Sequence, residues 1–232
     1  MVVVFAPLAW EAWAIASLLQ GRERRVQRGL HLVQGWLAGR EVMVCRVGMG
    51  NRAATAAGQV LRAYLPQAAL AMGLGGATVE GLGRGHIFLA TTIALWDGER
   101  EPLPTTPWLV EMAQQAAQRA GLPCTTGPSC TVRAVMARPA DKEEVARRLG
   151  AALVQMEDYW LAQEAIARGL PFLAIRAVAD ALHDHLPVTD QGRWRLSSLA
   201  GRPGAALPLM VGVARALLRL RRMALALFQI WR

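Results

Sequence analysis

The sequence predicts an α/β fold, a largely parallel sheet covered by helices on both faces. Short β-branched or apolar runs alternate with helix-length segments from residue 2 to residue 180. A 53% hydrophobic content over 232 residues is ample for a core on both sides of a sheet. Two apolar runs, residues 153–156 and 172–179, end in acids, Glu157 and Asp180. In open parallel sheets ligands bind beyond the carboxyl ends of the strands, so the two acids are expected at the mouth of one pocket.

In order, residues 2–5 form a strand broken by Pro7, and residues 9–19 a helix. Glu11 lies at that junction, either as a first-turn acid favoured by the helix dipole or as a pocket residue. Residues 30–37 and 41–47 read as strands joined at Gly39 and Arg40. The turn Gly48-Met49-Gly50-Asn51-Arg52-Ala53 follows, loosely matching a dinucleotide fingerprint. That fingerprint requires an acid closing the next strand, and residues 68–73 contain none. A plain tight turn remains, or an anion site at the helix N-terminus using Gly50 and Arg52.

Residues 68–74 are the next buried strand, running into a loop whose glycines Gly73, Gly75, Gly76 and Gly81 bring the main chain close to something. Residues 86–92 make a strand, Pro102, Pro104 and Pro107 a loop, and residues 108–120 a helix. Asp141 is read as the cap of a helix over 142–149. It leads to the strand at 153–156, a helix opened by Glu157 and Asp158, a Gly-Leu-Pro turn at 169–171 and the strand ending at Asp180.

Composition excludes several classes. There are 26 basic against 17 acidic residues, giving +9, and every basic residue but Lys142 is arginine. Arginine suits phosphate, carboxylate or anionic surfaces, and one lysine leaves little room for Schiff-base chemistry. Only residues 21–28 approach a basic stripe, so no nucleic-acid partner is expected. Cys45, Cys124 and Cys130 lack disulfide or zinc spacing, and His183 and His185 beside Asp184 read as a solvated loop, so no metal is expected. Ser129 and Cys130 have no histidine nearby in sequence to activate them. Free cysteines fit a reducing, cytoplasmic setting, and Pro7 and Glu11 argue against a signal peptide. Without linkers or repeats, residues 1–232 read as one domain.

The ordered set of Glu11 after the first strand, the GMGNRAA turn, GLGGATVEGLGRGHIFLAT, QMEDYWLAQEA and PFLAIRAVAD resembles the purine nucleoside phosphorylase and nucleosidase superfamily, especially its 5′-methylthioadenosine nucleosidase-like branch. Arg52 and the segment 190–210 are similar to the hopanoid-associated phosphorylase subgroup, which acts on an adenosylated lipid. The resemblance implies a three-layer αβα fold with a central mixed, largely parallel sheet. It implies cleavage of the N-glycosidic bond of a purine nucleoside, a 5′-substituted adenosine such as adenosylhopane, by a homo-oligomer without a bound cofactor.

Such a bond breaks through an oxocarbenium-like state, so the enzyme must hold the sugar and protonate the leaving base. On this pattern Glu157 binds the ribose hydroxyls, Met156 packs beneath the sugar, Gly73, Gly75 and Gly76 line the substrate, and Asp180 assists proton delivery to the base. Glu11 falls where the nucleosidases position water, while Gly50 and Arg52 favour inorganic phosphate as co-substrate, and the sequence leans to phosphate. Ala71 and Leu74 stand where classical purine phosphorylases hold phosphate with arginine and serine, Ala179 replaces a common serine, and residues 127–135 offer no aromatic to a base. Those departures would permit the other reading, a catalytically silent nucleoside- or lipid-binding protein.

In the tail, residues 205–231, Arg215, Arg219 and Arg222 form one stripe on an apolar cylinder. It suits either a peripheral membrane contact with anionic head groups or a last helix packed on the sheet or at a subunit interface.

Overall fold

A computed structural model describes residues 1–98, 100–186 and 203–231, with only the backbone for 203–209. Along the chain lie β1 (Val2–Ala6), α1 (Ala9–Ala16), β2 (Gln20–Gln27), β3 (Leu30–Leu37), β4 (Arg40–Arg46), α2 (Arg52–Tyr64), β5 (Ala68–Ala77) and β6 (Ile87–Leu95). They are followed by β7 (Leu103–Pro104), α3 (Pro107–Arg119), β8 (Cys124–Thr131), α4 (Pro139–Leu149), β9 (Leu153–Gln155), α5 (Asp158–Ile166), β10 (Phe172–Asp180) and α6 (Pro203–Ile230).

The result is an α/β fold, a mixed sheet with flanking helices. β1 lies parallel between β4 and β5, and β10 runs parallel to β5 on its other side. β3 and β2 extend the β4 edge as antiparallel ribbons. Beyond β10 the sheet curls: β10 pairs with β6, β6 with β8, β8 with β9, and β9 returns to β5, so five strands close into a ring. This ring brings the ends of β5, β9 and β10 together.

Period-two alternation sorts the side chains into two cores. Val2, Val4, Leu70, Met72, Leu173 and Ile175 meet buried residues of α1, α3 and α6 on one face. Val3, Phe5, Ala69, Ala71, Phe172 and Ala174 meet α2 and α5 on the other. Both faces are covered, which is why these strands are apolar almost throughout.

Two expectations change, one unassigned segment becomes a strand, and one of the two readings of the tail is met. Residues 20–27 form an exposed strand paired with β3, although their alternating arginines give no apolar period. β5 continues through Gly73, Gly75 and Gly76, which are strand rather than loop residues. Asp141 does not cap α4. Arg138 is the N-cap residue, and Asp141 accepts from its Nε at 2.9 Å and its Nη2 at 2.7 Å. Finally, α6 packs as the last helix, burying Ala216, Leu220, Met223, Ala224, Leu227 and Phe228. Its Arg222 donates to the Ala120 carbonyl at 2.8 Å, and Arg215 and Arg219 lie against Gly85, so the arginine stripe is partly spent on the protein itself. No helix among the described residues is long and apolar enough to cross a membrane. Residues 190–202, which carry part of the finer resemblance, lie outside the described residues.

Candidate active site

The site is built on one buried guanidinium. Arg176 alternates with Phe172, Ala174 and Val178 on the α5 side of β10, yet its side chain is only 1% exposed. A buried charge is tolerable only when paired and fully hydrogen-bonded. Asp158, the first residue of α5, supplies the pairing: Nε lies 3.2 Å from both its carboxylate oxygens and Nη2 makes a closer contact with Oδ1. Nη1 donates to the Leu74 carbonyl at 3.2 Å, and Nη2 is 3.7 Å from Glu157 Oε2.

Glu157 is held from two directions. Its Oε1 accepts the Gly50 N–H at 3.0 Å, tying the glycine turn before α2 to the start of α5. Behind it, Gln155 Oε1 accepts the N–H groups of Glu157 and Asp158 at 2.8 and 2.7 Å, satisfying donors that a helix start leaves open. Gln155 is in turn fixed by donating to Thr131 Oγ1 at 2.8 Å, which also accepts the Tyr159 N–H. Met156, between them, packs against the small core of Cys130, Val132, Val145, Ala151 and Val154.

Glu11 reconciles its two readings. As the third residue of α1 it reaches back to accept the Leu8 N–H at 2.7 Å, the return half of a capping box. Its other oxygen accepts the Leu74 N–H at 2.7 Å, beside Arg176. Glu11, Glu157 and Asp158 therefore crowd one guanidinium. Burial pushes the Glu157 carboxyl up to about 7 against the pull of Arg176 and the Gly50 N–H. Burial likewise raises Glu11 and Asp158, each opposed by Arg176. This cluster can therefore hold a proton near neutral pH.

The glycines of β5 make the room. In the parallel register Arg176 stands opposite Gly73 and Asp180 opposite Gly76. A Cβ on Gly73 would strike Arg176 Nη1 and lie 2.8 Å from Glu11 Oε1; one on Gly75 would come within 2.7 Å of Leu153 Cδ2, and one on Gly76 within 2.7 Å of Asp180 Oδ2. The "something" approached by this glycine run is thus the set of acids, except at Gly75, which makes way for β9.

Asp180 ends β10 at a bulge and is 7% exposed. Lys142 Nζ, fully buried on α4, approaches its Oδ2 at 2.5 Å and donates to the Ala181 carbonyl at 2.7 Å. Burial raises the Asp180 carboxyl, and Lys142 works against that rise. Arg52, by contrast, is exposed at the first residue of α2, and the Gly50 N–H is already engaged by Glu157. Among the described residues no group of His, Cys, Asp and Glu is arranged to hold a metal. A groove of about 510 Å³ at Trp108, Met112, Arg119 and Trp231 belongs to the α3 and α6 layer and is lined by no carboxylate.

Gln155, Arg176 and Lys142 were not singled out as site residues from sequence. A polar side chain inside an otherwise apolar strand was the available signal for Gln155 and Arg176. Nothing local marked Lys142, whose partner comes from another element.

A family model described as the phosphorylase superfamily matches residues 1–200. The chain is 28% identical over 194 residues to a 5′-methylthioadenosine/S-adenosylhomocysteine nucleosidase of Shewanella sp. (strain MR-7), covering 76% of this chain and 82% of that one. It is 28% identical to the enzyme of the same name from Chromohalobacter salexigens over 196 residues, 77% of this chain and 83% of the other. Among solved structures, the nucleosidase of Neisseria meningitidis in complex with methylthio-immucillin-A superposes with a TM-score of 0.84 at 18% identity, over 99% of both chains. The futalosine hydrolase of Helicobacter pylori superposes with a TM-score of 0.81 at 15% identity, over 97% of this chain and 96% of that one.

Proposed function

Since the chain belongs to the phosphorylase superfamily, and is an enzyme of the kind that cleaves nucleoside N-glycosidic bonds, we propose that it releases the base from a 5′-substituted adenosine with water as the nucleophile. One observation carries the reading: Glu11, Glu157 and Asp180 are buried acids, Glu11 beside Gly73 and Asp180 beside Gly76 of β5, with Glu157 joined to the first through Arg176. In this reading Glu157 accepts from the ribose hydroxyls, and Glu11, oriented by two main-chain N–H groups, takes a proton from water attacking C1′. Asp180 gives its proton to the base as the C1′–N bond breaks. Arg176 stays with Asp158 and keeps the carboxylates from expelling one another.

The sequence leans to phosphate, and the geometry favours water. A phosphate at the glycine turn would compete with Glu157 for the Gly50 N–H, and Arg52 points its charge from an exposed position. The relatives named as 5′-methylthioadenosine/S-adenosylhomocysteine nucleosidases support an adenine base with a thioether at the 5′ position. Exposed Trp10, Trp13 and Met49 flank Glu11 and Gly50 in sequence, and support an apolar 5′ substituent extending to an adenosylated lipid. The same surface suits a second copy of the chain or a membrane face in a cytoplasmic enzyme.

The test is incubation with 5′-methylthioadenosine and S-adenosylhomocysteine, with and without phosphate. Adenine and the free pentose at a phosphate-independent rate are expected. A pentose 1-phosphate formed only with phosphate would reverse the choice of nucleophile, and no released base from either would leave a binding protein.

A further inference from the structure

The chain has 25 arginines and one lysine, and among the described residues that lysine is the fully buried ion-pair partner of Asp180. Its neighbours are specific. Lys142 Nζ lies 2.5 Å from Asp180 Oδ2, donates to the Ala181 carbonyl at 2.7 Å and is 3.5 Å from the Asp184 carbonyl. Oδ2 is buried and no described residue donates a well-aligned hydrogen bond to it, so the close Lys142 ammonium is its ion-pair partner. The remaining charges nearby are committed elsewhere: the Asp184 carboxylate accepts from Arg84 and from the Ala181 N–H, and His183 pairs with Glu80 at the surface.

We propose that Lys142 is a positioning residue for protonation of the leaving base, holding one oxygen of Asp180 and stabilising the carboxylate that remains when the other has given up its proton. The proposal rests on the reading of Asp180 as the acid. As the C1′–N bond breaks, its electron pair passes to the base, the Asp180 O–H bond breaks and a base N–H bond forms. The water that attacks C1′ loses its proton to Glu11, and solvent restores both acids. An ammonium 2.5 Å from the nascent carboxylate acts where charge develops, with both side chains largely buried. Burial alone would make Asp180 hold its proton too firmly, and Lys142 offsets this. A compact ammonium with three donors also suits this socket of one carboxylate and two carbonyls better than a planar guanidinium fork.

The experiment compares Lys142→Met and Lys142→Arg with the unmodified chain in kcat and KM for 5′-methylthioadenosine across pH 5 to 10. Lys142→Met is expected to lose about 10²-fold in kcat with KM nearly unchanged. Because its Asp180 would hold the proton more tightly, the alkaline limb of kcat should move up by about one pH unit. Lys142→Arg should keep the limb in place and recover part of the rate. A normal rate in Lys142→Met, or equal losses in both variants with the limb unmoved, would overturn the proposal and leave a merely structural lysine.

If neither variant folds, Nζ-labelled lysine in the unmodified protein gives a single side-chain resonance. Its movement in step with the alkaline limb, absent in Asp180→Asn, supports the proposal, and indifference to that limb overturns it. A wild-type chain that releases no adenine would instead remove the hydrolytic reading itself.

Discussion

Glu157→Gln separates what the site does from what it costs. The Glu157 carboxyl, ordinarily near 4.5, is pushed up to about 7 by burial. The folded chain therefore keeps a proton that the unfolded chain has released, so this group subtracts stability as pH rises from about 4.5 to about 7, and its full penalty stands above that window. Integrated over pH, the penalty is under about 1 kcal/mol at pH 5 and about 3 kcal/mol at pH 8. Glutamine has the same shape, and its Oε1 can still accept the Gly50 N–H, while Arg176, 3.7 Å from Oε2, loses only a secondary partner. The variant is therefore expected to be more stable than the parent by roughly 2 kcal/mol at pH 8 and nearly equal to it at pH 5. Urea unfolding at the two pH values measures this, and release of adenine should fall at the same time because the ribose loses its acceptor. A variant less stable than the parent at pH 8, or a difference independent of pH, would refute the reasoning.

Asp180→Asn should keep its far-UV circular dichroism and lose about 10²- to 10⁴-fold in kcat, read by chromatographic release of adenine. Gly73→Ala puts a Cβ into Arg176 and Glu11, and should cost about 1–3 kcal/mol in chemical unfolding together with most activity. Gly83→Ala, which meets nothing within 4 Å, is its control. Arg176→Met leaves Asp158 buried without its cation and should lose about 3–5 kcal/mol at pH 8. The loss should shrink at pH 5, where the carboxyls, already raised by burial, can take up protons instead.

The sequence by itself determined the alternation of strands and helices, the two-sided core and the acids at strand ends. The strand predicted at 30–37 is β3 residue for residue and Asp180 does close β10, while Glu157 stands two residues past β9 at the N-cap of α5, because burial on one or both faces writes a period that local residues carry. It also marked the glycine run 73–76 as a place of close approach, since glycine is costly wherever a side chain could stand. What approaches was decided only by the register of β5 against β10, which sets Gly73 opposite Arg176 and Gly76 opposite Asp180. Likewise β2 was hidden because hydrogen bonding to β3, not apolar spacing, makes it a strand, and α6 kept an interfacial reading beside the packed one because amphipathicity does not name the partner surface. Lys142 faces Asp180 only because β8, β9 and β10 close into one ring that carries α4 to the end of β10. Local periodicity reports how deeply a residue is buried, whereas the pairing of charges depends on strand order and register, which are properties of the whole sheet.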